Sequence, residues 1–549
     1  MRLEASSRDR ILIWGCNAKV RLCLLALLVP LVGPSASARA PGIDQDSAEE
    51  HLRRGAADLV KGDSEKAIEE FRSAVRLEPR NPVAHDQLGA ALAESGETRQ
   101  ATAEFMEAIR LSEDFPLAHF HLALAYDRME QSSDAIREYE TTLALKPDFI
   151  DARYALSALS WKRGDAEGAI QLLRQIVARA PSFAAEVHYD MGLELMQAGK
   201  LGEALQELQT TAKLRPQSAV TYAALCNVLT QMQKLDEAIL AATKAVQLDP
   251  TNPEYRYDLA ESLRLKGELD AAEMHFRRVL TVAPKYPNAH RQLGLVLRQK
   301  GDYPSALVQF QSAVSDNIED SEALYYLGSV LLKMDDTKGA IEHLIEAVRL
   351  NPFESGPHTT LATAFQKNGR IQEAQEERQR AQEVAALRSN AGQSRVLLGS
   401  AVQRMDKGDI DAAVNQLRQA ADLSPDYAEV QFQLARVLGR KGRPSDEVES
   451  VLRKAIHLDP KLARAHLELG LLLMGLGRTA ESSLELRQAL ELAPSLVEAH
   501  RALGKEAHKT HDWTAAVNEF RAILAWNQDD QEARRDLAFA LRQLKLKIR

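Results

Sequence analysis

Apolar positions in residues 287–320, PNAHRQLGLVLRQKGDYPSALVQFQSAVSDNIED, fall into two helical stripes on either side of one break. In the first, Leu293, Leu295, Val296 and Leu297 make an apolar surface with small Gly294 at its centre. Lys300-Gly301-Asp302 supplies the break, where glycine is free to take φ > 0 past a helix end. In the second, Ala306, Phe310 and Ala313 stand at i, i+4 and i+7, one stripe of a 3.6-residue helix. The pattern predicts two helices of about 14 residues joined by a short turn, a helical hairpin. A hairpin this small cannot cover its own apolar faces, so it requires neighbours.

The chain supplies them at a fixed interval. The small residue early in each second helix recurs as Ala67, Ala101, Ala135, Ala169, Ala204, Ala238, Ala272, Ala306, Ala340 and Ala374, then Ala413, Val448, Ser482 and Ala516. The step is 34 residues, apart from steps of 35 to Ala204 and Val448 and one of 39 to Ala413. A larger side chain there would push the two helices apart. In the same phase run Leu-Gly or Leu-Ala pairs such as Leu88-Gly89 and Leu469-Gly470, and turn glycines such as Gly62, Gly267 and Gly408. A bulky residue follows the small one by four (Phe71, Phe105, Tyr139, Phe276, Phe310, Phe520), and ten units close on a proline, which cannot continue a helix. Self-similarity at this period marks a solenoid.

These residues carry a resemblance. The unit resembles the tetratricopeptide repeat, with its W-x₂-L-G-x₂-Y, A-x₃-F and closing Pro over 34 residues. Here the Trp position is usually His and the Tyr position usually Leu, as at Leu297, Leu331 and Leu473. The resemblance runs from about Ala48 to the C-terminus and rests on fourteen recurrences in one phase. It implies an all-α fold: an α-solenoid, a right-handed superhelix of about fourteen helix-turn-helix units, with a groove lined by the first helices. Residues 531–549 read as a first helix without a partner, a C-terminal capping helix of the kind arrays require.

Two segments depart from the repeat. Residues 1–21 are basic, Leu22 to Gly33 is an apolar run of 12 residues, and PSASARA follows. That layout, residues 1–40, predicts a secretory signal peptide, with an uncleaved anchor as the alternative. Either sends the repeats out of the cytoplasm, to the periplasm, the exterior or the inner membrane's outer face. The other departure is the charged stretch Ile371–Arg388, which runs past the place of a closing proline. It predicts one long helix, a break or hinge at 389–393, and division into a ten-unit sub-array (48–388) and a four-unit one (394–530). The extension also fits a packed, solvating helix.

Charge and candidate chemistry narrow the function. The formal net charge is −9, and the leader is basic, so the repeats are more acidic still. An acidic chain without a basic tract argues against nucleic acid as the partner. Of three cysteines only Cys226 lies beyond the leader, at the small-residue place of its unit, so no internal disulfide is expected there. His51, His85, His119, His188, His290, His358, His466 and His500 fall one per unit at its fourth place, a packing role rather than a metal set. His508 and His511 lack a completing ligand. No nucleophile elbow, zinc-protease or P-loop motif occurs. No catalytic residue, metal or cofactor is expected.

What the resemblance implies about the groove is a set of positions: the second, fifth, ninth and twelfth of each first helix. The fifth holds Phe120, Tyr154, Tyr189, Tyr257, Tyr325 and Phe432, and the twelfth of the fourth unit holds Trp161. Rings with polar tips suit protein recognition. Arg264, Arg291 and Arg298 stand between Tyr257 and Tyr325, where guanidiniums can hold carboxylates unless Glu254 and Glu261 neutralise them. The expectation is a non-enzymatic scaffold binding a protein or peptide in its groove. The alternatives are a glycan-binding solenoid and the targeting subunit of a separate transferase or export complex.

Overall fold

The computed structural model describes residues 47–548; the expected signal or anchor, residues 1–40, lies outside the described residues. Among the described residues there are 28 α-helices, one short 3-10 turn and no strand. The chain forms two compact units, Met1–Phe183 with Asp459–Arg549, and Ala184–Leu458.

The first unit opens with four hairpins: α1 (Ala48–Lys61) and α2 (Ser64–Leu77), α3 (Pro82–Glu94) and α4 (Thr98–Leu111), α5 (Pro116–Arg128) and α6 (Ser132–Leu145), α7 (Ile150–Arg163) and α8 (Ala166–Arg179). The second unit begins with α9 (Ala184–Gln197) and α10 (Leu201–Leu214), then α11 (Ala219–Gln231) and α12 (Leu235–Leu248). It continues through α13 (Pro253–Lys266) and α14 (Leu269–Val282), α15 (Ala289–Gln299) and α16 (Tyr303–Asp316), α17 (Ser321–Lys333) and α18 (Thr337–Leu350). Its last elements are α19 (Ser355–Lys367), α20 (Ile371–Asp406), α21 (Ile410–Leu423), α22 (Ala428–Arg440) and α23 (Ser445–Leu458). The first unit resumes with α24 (Ala463–Gly475), α25 (Thr479–Leu492), α26 (Val497–Lys509), α27 (Trp513–Trp526) and the terminal α28 (Gln531–Ile548), which packs on α27.

Most hairpins turn on a glycine with positive φ, with Glu130, Gln233, Asp335 and His511 taking that place in four of them, and several second helices open on a capping carboxylate. Gly301 takes φ +81°, and the Asp302 carboxylate accepts from the Ser305 N–H at 3.1 Å. Asp63, Asp165, Asp336, Asp409 and Asp512 cap their helices in the same way. The two helices then interlock. A Cβ on Gly294 would lie 2.7 Å from the Phe310 ring, and the same ring-on-glycine contact joins Gly55 to Phe71, Gly89 to Phe105 and Gly504 to Phe520. Leucine replaces the ring opposite Gly192, Gly328 and Gly470. The Leu-Gly pair and the bulky residue four after alanine are thus two halves of one contact.

The fourth-place histidines add a polar clamp. Nδ1 of His85, His119 and His466 lies 2.6, 2.6 and 2.7 Å from Glu104, Glu138 and Glu485 of the second helix. Nε2 faces the carbonyl that closes the preceding unit, as His85 faces Pro79 O at 3.1 Å and His358 faces Pro352 O at 3.1 Å. A carbonyl only accepts, so Nε2 carries a hydrogen, and a proton lies between Nδ1 and the carboxylate. One imidazole therefore ties two helices and a linker together, and His290 does so with Gln309 as partner.

Within Ala184–Leu458 each second helix packs on the next first helix, and successive first helices also approach one another more closely than second helices do. The first helices therefore line the inner side of the curve. The expected break at 389–393 is overturned: these residues lie inside α20, 36 residues of continuous helix. No proline stops it there, and the helix penalty of Asn390 and Gly392, at most about 1 kcal/mol each, is small beside the helix on both sides. Because α20 packs on both α19 and α21, its first half closes the tenth hairpin and its second half opens the eleventh. That also removes the division at 388.

The first unit holds a contact with no counterpart in the repeat. Its helix α27 packs against α6, and the fully buried Trp526 joins the cluster of Phe120, Tyr139, Leu143 and Phe149. The indole N–H donates to Glu140 Oε1 at 2.7 Å, and the Trp526 carbonyl accepts from Gln171 and Gln175 at 3.0 and 2.9 Å. Ser495 N–H donates to Asp165 at 3.0 Å, and Arg464 pairs with Glu167 at 2.6 Å. Trp526→Ala is expected to cost about 3–5 kcal/mol, with hydrogen-exchange protection lost in α6 and α27 and retained in α1 to α4.

Burial pushes the Glu140 carboxyl up to about 7, with His500 and the Trp526 bond pulling it partly back. For His500, burial works against the charged ring, but the bond to Glu519 and the nearby Glu140 hold its pKa above the ordinary histidine value. Both groups bind protons more tightly folded than unfolded, so the stability they contribute is present in mild acid and lost as pH rises through about 7. Glu140→Gln keeps the acceptor for Trp526 and removes the carboxylate. Its melting temperature is expected to fall less than the parent's between about pH 5 and 8, as thermal melts across that range would show.

Candidate partner-binding face

The inner-face residues divide by what their side chains touch. Phe120 is 1% exposed and stacks with Phe149 (4.9 Å) and Tyr139 (6.0 Å), and Phe432 is 2% exposed. Neither faces a groove. Both are corrections, with one cause: an unbranched ring without a polar tip is driven between the helices, where it gains apolar burial. Tyr154, Trp161, Tyr189, Tyr257 and Tyr325 are half-buried. Tyr257 packs edge-on against Phe276 (5.5 Å) and against Tyr286 (5.1 Å), and Tyr325 lies 4.9 Å from Tyr326. Tyr154 and Trp161 belong to the first unit, and Tyr189, Tyr257 and Tyr325 to the second.

The three arginines separate as well. Arg291 on α15 is spent inside the fold: its guanidinium reaches Asp320 at 2.9 Å and also pairs with Glu322. Asp320 in turn caps α17 through the Ala323 N–H at 3.0 Å. The acids that neutralise Arg291 are therefore on the next unit, not Glu254 and Glu261. Arg298, two turns further along α15, lies over the Tyr326 ring at 5.1 Å, and its Nε is buried without an acceptor. Arg264 on α13 is half-buried, and its Nε too has no acceptor. Arg264 and Arg298 occupy the same register in adjacent first helices.

Buried acids on the first helices of the second unit are a feature the sequence reading missed. Burial, then Glu254 and Glu261, push the Asp258 carboxyl up to about 8. Burial, then Asp190, raise Glu194 well above the carboxylate range, and its Oε2 has no partner. The signal for Glu194 was an acid at a place where most units carry an apolar or small residue, as at Ala91, Val228 and Val296; the place of Asp258 is polar in most units and gave none. The Cys226 thiol is pushed up to about 11, chiefly by burial, and contacts Ser262 Oγ at 3.4 Å, so it is a packed side chain rather than a nucleophile. His508 and His511 pack at a tilt against Trp513, each with centroids 5.3 Å from it. Among the described residues no group of His, Cys, Asp or Glu is placed to hold a metal, and no helix is long and apolar enough to cross a membrane.

With the geometry in place, comparison with known families finds tetratricopeptide repeats over much of residues 120–496. Residues 120–182, 189–253 and 291–355 match one tetratricopeptide repeat model, 230–296 a second and 463–496 a third, while 403–442 match a TPR repeat model. Residues 25–117 match the bacterial transcriptional activator domain. No curated protein matches the chain. Among solved structures, a MamA protein from Desulfovibrio magneticus RS-1 is 23% identical over 30% of this chain and 94% of its own, with a TM-score of 0.29. YrrB, described as a TPR protein with an unusual peptide-binding site, is 18% identical over 41% and 95%, TM-score 0.27. Cut9-Hcn1 of the APC/C is 14% identical over 84% and 96%, TM-score 0.31.

The arginines give a sharp contrast in stability. Arg291→Ala leaves the partly buried Asp320 without its cation and is expected to destabilise the chain by about 1–3 kcal/mol. Arg264→Ala and Arg298→Ala, which break no ion pair, are expected to stay within about 1 kcal/mol of the parent in urea unfolding.

Proposed function

We propose, for a chain that belongs to the tetratricopeptide repeat family, that it is a protein-interaction scaffold whose second unit binds an acidic segment of a partner on its inner face. The observation that carries this reading is the pair Arg264 and Arg298, two guanidiniums without acceptors at one register of neighbouring first helices. A guanidinium left in this state favours a carboxylate, which accepts two parallel N–H bonds. Packed helices stand about 8–10 Å apart, and an extended chain rises about 3.4 Å per residue. Side chains of such a strand alternate faces. In polyproline II, with about three residues per turn and a rise of about 3.1 Å, acidic residues about three apart lie on one side, about 9 Å from each other, and would meet successive arginines.

The tyrosines frame this strip without offering open platforms. Tyr257 has Phe276 and Tyr286 against it and Tyr325 has Tyr326, which favours a peptide running past their hydroxyl tips over a sugar stacked on their faces. The match of residues 25–117 to a transcriptional activator domain raises nucleic acid as a partner, and the net charge of −9 weighs against it. The basic, apolar and small-residue leader supports export, so the partner is sought in the cell envelope or outside it. A reporter enzyme active only outside the cytoplasm, fused after residues 1–46, tests that placement.

For the binding face, peptides with Glu or Asp three apart are titrated against the full chain by fluorescence anisotropy. Binding weakened about tenfold or more in Arg264→Glu with Arg298→Glu supports the site. Equal affinity for the acidic peptide and its Lys-substituted counterpart contradicts it.

A further inference from the structure

The seventh hairpin inverts the clamp. Where other units place the imidazole stands Arg256, which donates through Nη2 to Pro250 O at 3.1 Å just as the clamp rings reach their linker carbonyls. Nineteen residues on, where those units place the carboxylate, stands His275. A base faces a base. His275 Nδ1 is buried without a hydrogen-bond partner, and burial, then Arg256, push its pKa below the ordinary histidine value. Three residues further along α14, Arg278 has no acid in ion-pair range among the described residues, whereas Arg277 is held by Glu273, which also takes Lys300 at 2.7 Å.

These groups surround space. An open cleft of about 410 Å³ is lined by Arg256, Met274, His275, Arg277, Arg278 and Thr281. It is built largely on a second helix, away from the first-helix face that carries Arg264 and Arg298. We propose that this cleft is an oxyanion site that takes a phosphate monoester. Two guanidiniums without acids match the charge of a dianion, whereas a carboxylate would neutralise one of them. Arg256 spends one of its five N–H donors on Pro250, so the rest are available to phosphate oxygens. The orphaned His275 Nδ1, with the ring hydrogen on it, gains an acceptor in a phosphate oxygen. Exposed Met274 gives the organic part of the ester an apolar wall.

The test is calorimetric titration of the full chain with phenyl phosphate and, separately, with benzoate, which has the same ring and a single charge. Phenyl phosphate is expected to bind at least about tenfold more tightly than benzoate. His275→Glu, which supplies the acid that Arg256 lacks, and Arg278→Ala should each weaken phenyl phosphate about tenfold or more. His275→Glu should also melt at a higher temperature than the parent, so that lost binding cannot be lost folding. Arg264→Ala with Arg298→Ala should leave phenyl phosphate binding unchanged, which separates this site from the peptide face. Equal binding of benzoate, affinity untouched in both cleft variants, or no binding by the parent would overturn the proposal.

Discussion

Two short helices pack closely only where a side chain of one can sink against nearly bare backbone of the other. In this chain that place is the glycine or alanine midway along each first helix, and the side chain is the Phe, Tyr or Leu of the second. At Gly294 there is no room for a Cβ, because the Phe310 ring already occupies it. Everything periodic follows from that contact. It sets the small residues and leaves each hairpin with an outer apolar face that only another hairpin can cover. Stability then accumulates by stacking, as a sum of hairpins and their interfaces.

The histidine clamp is the polar counterpart of the interlock, and its exceptions are informative. Where imidazole, carboxylate and carbonyl are all present, the charges close on themselves and the unit has nothing to offer a ligand. Where the pattern fails, at Arg256 with His275, positive charge is left over. On the inner face the same logic separates Arg291, satisfied by Asp320 and Glu322, from Arg264 and Arg298, which are not. Repetition marks architecture, and departures from it mark the places able to bind something.

The hairpins, their period and their turns were legible because glycine, small-residue and aromatic signals recur in one phase. The side of a hairpin that a given ring takes was not, since Phe120 and Tyr154 hold the same register yet only the hydroxyl of the tyrosine has reason to stay near water. The continuous α20 was misread because Ser389 to Gln393 looks like a linker. Helix continuity there depends on the absence of a proline more than on the presence of weak helix formers. The docking of α27 on α6 was invisible to a periodic reading, although the uncharged end Ala522–Trp526, matched by the uncharged end Thr141–Leu145 of α6 where most second helices carry charge, was its trace. The glutamate nineteen residues after every clamp histidine but His290, which has Gln309, was readable and went unread, since a lone ring on a helix suggested packing alone.

The interlock makes a claim about range: a hairpin that is forced open should injure only what stacks on it. Ala306→Leu, at the fully buried small position of α16, is expected to overpack its hairpin by about 1–3 kcal/mol. Hydrogen exchange followed by mass spectrometry reads that injury helix by helix. Protection should fall in α15 and α16, less in α14 and α17, and remain at the parent level in α21 to α23. Equal loss of protection across all these helices would contradict closure hairpin by hairpin.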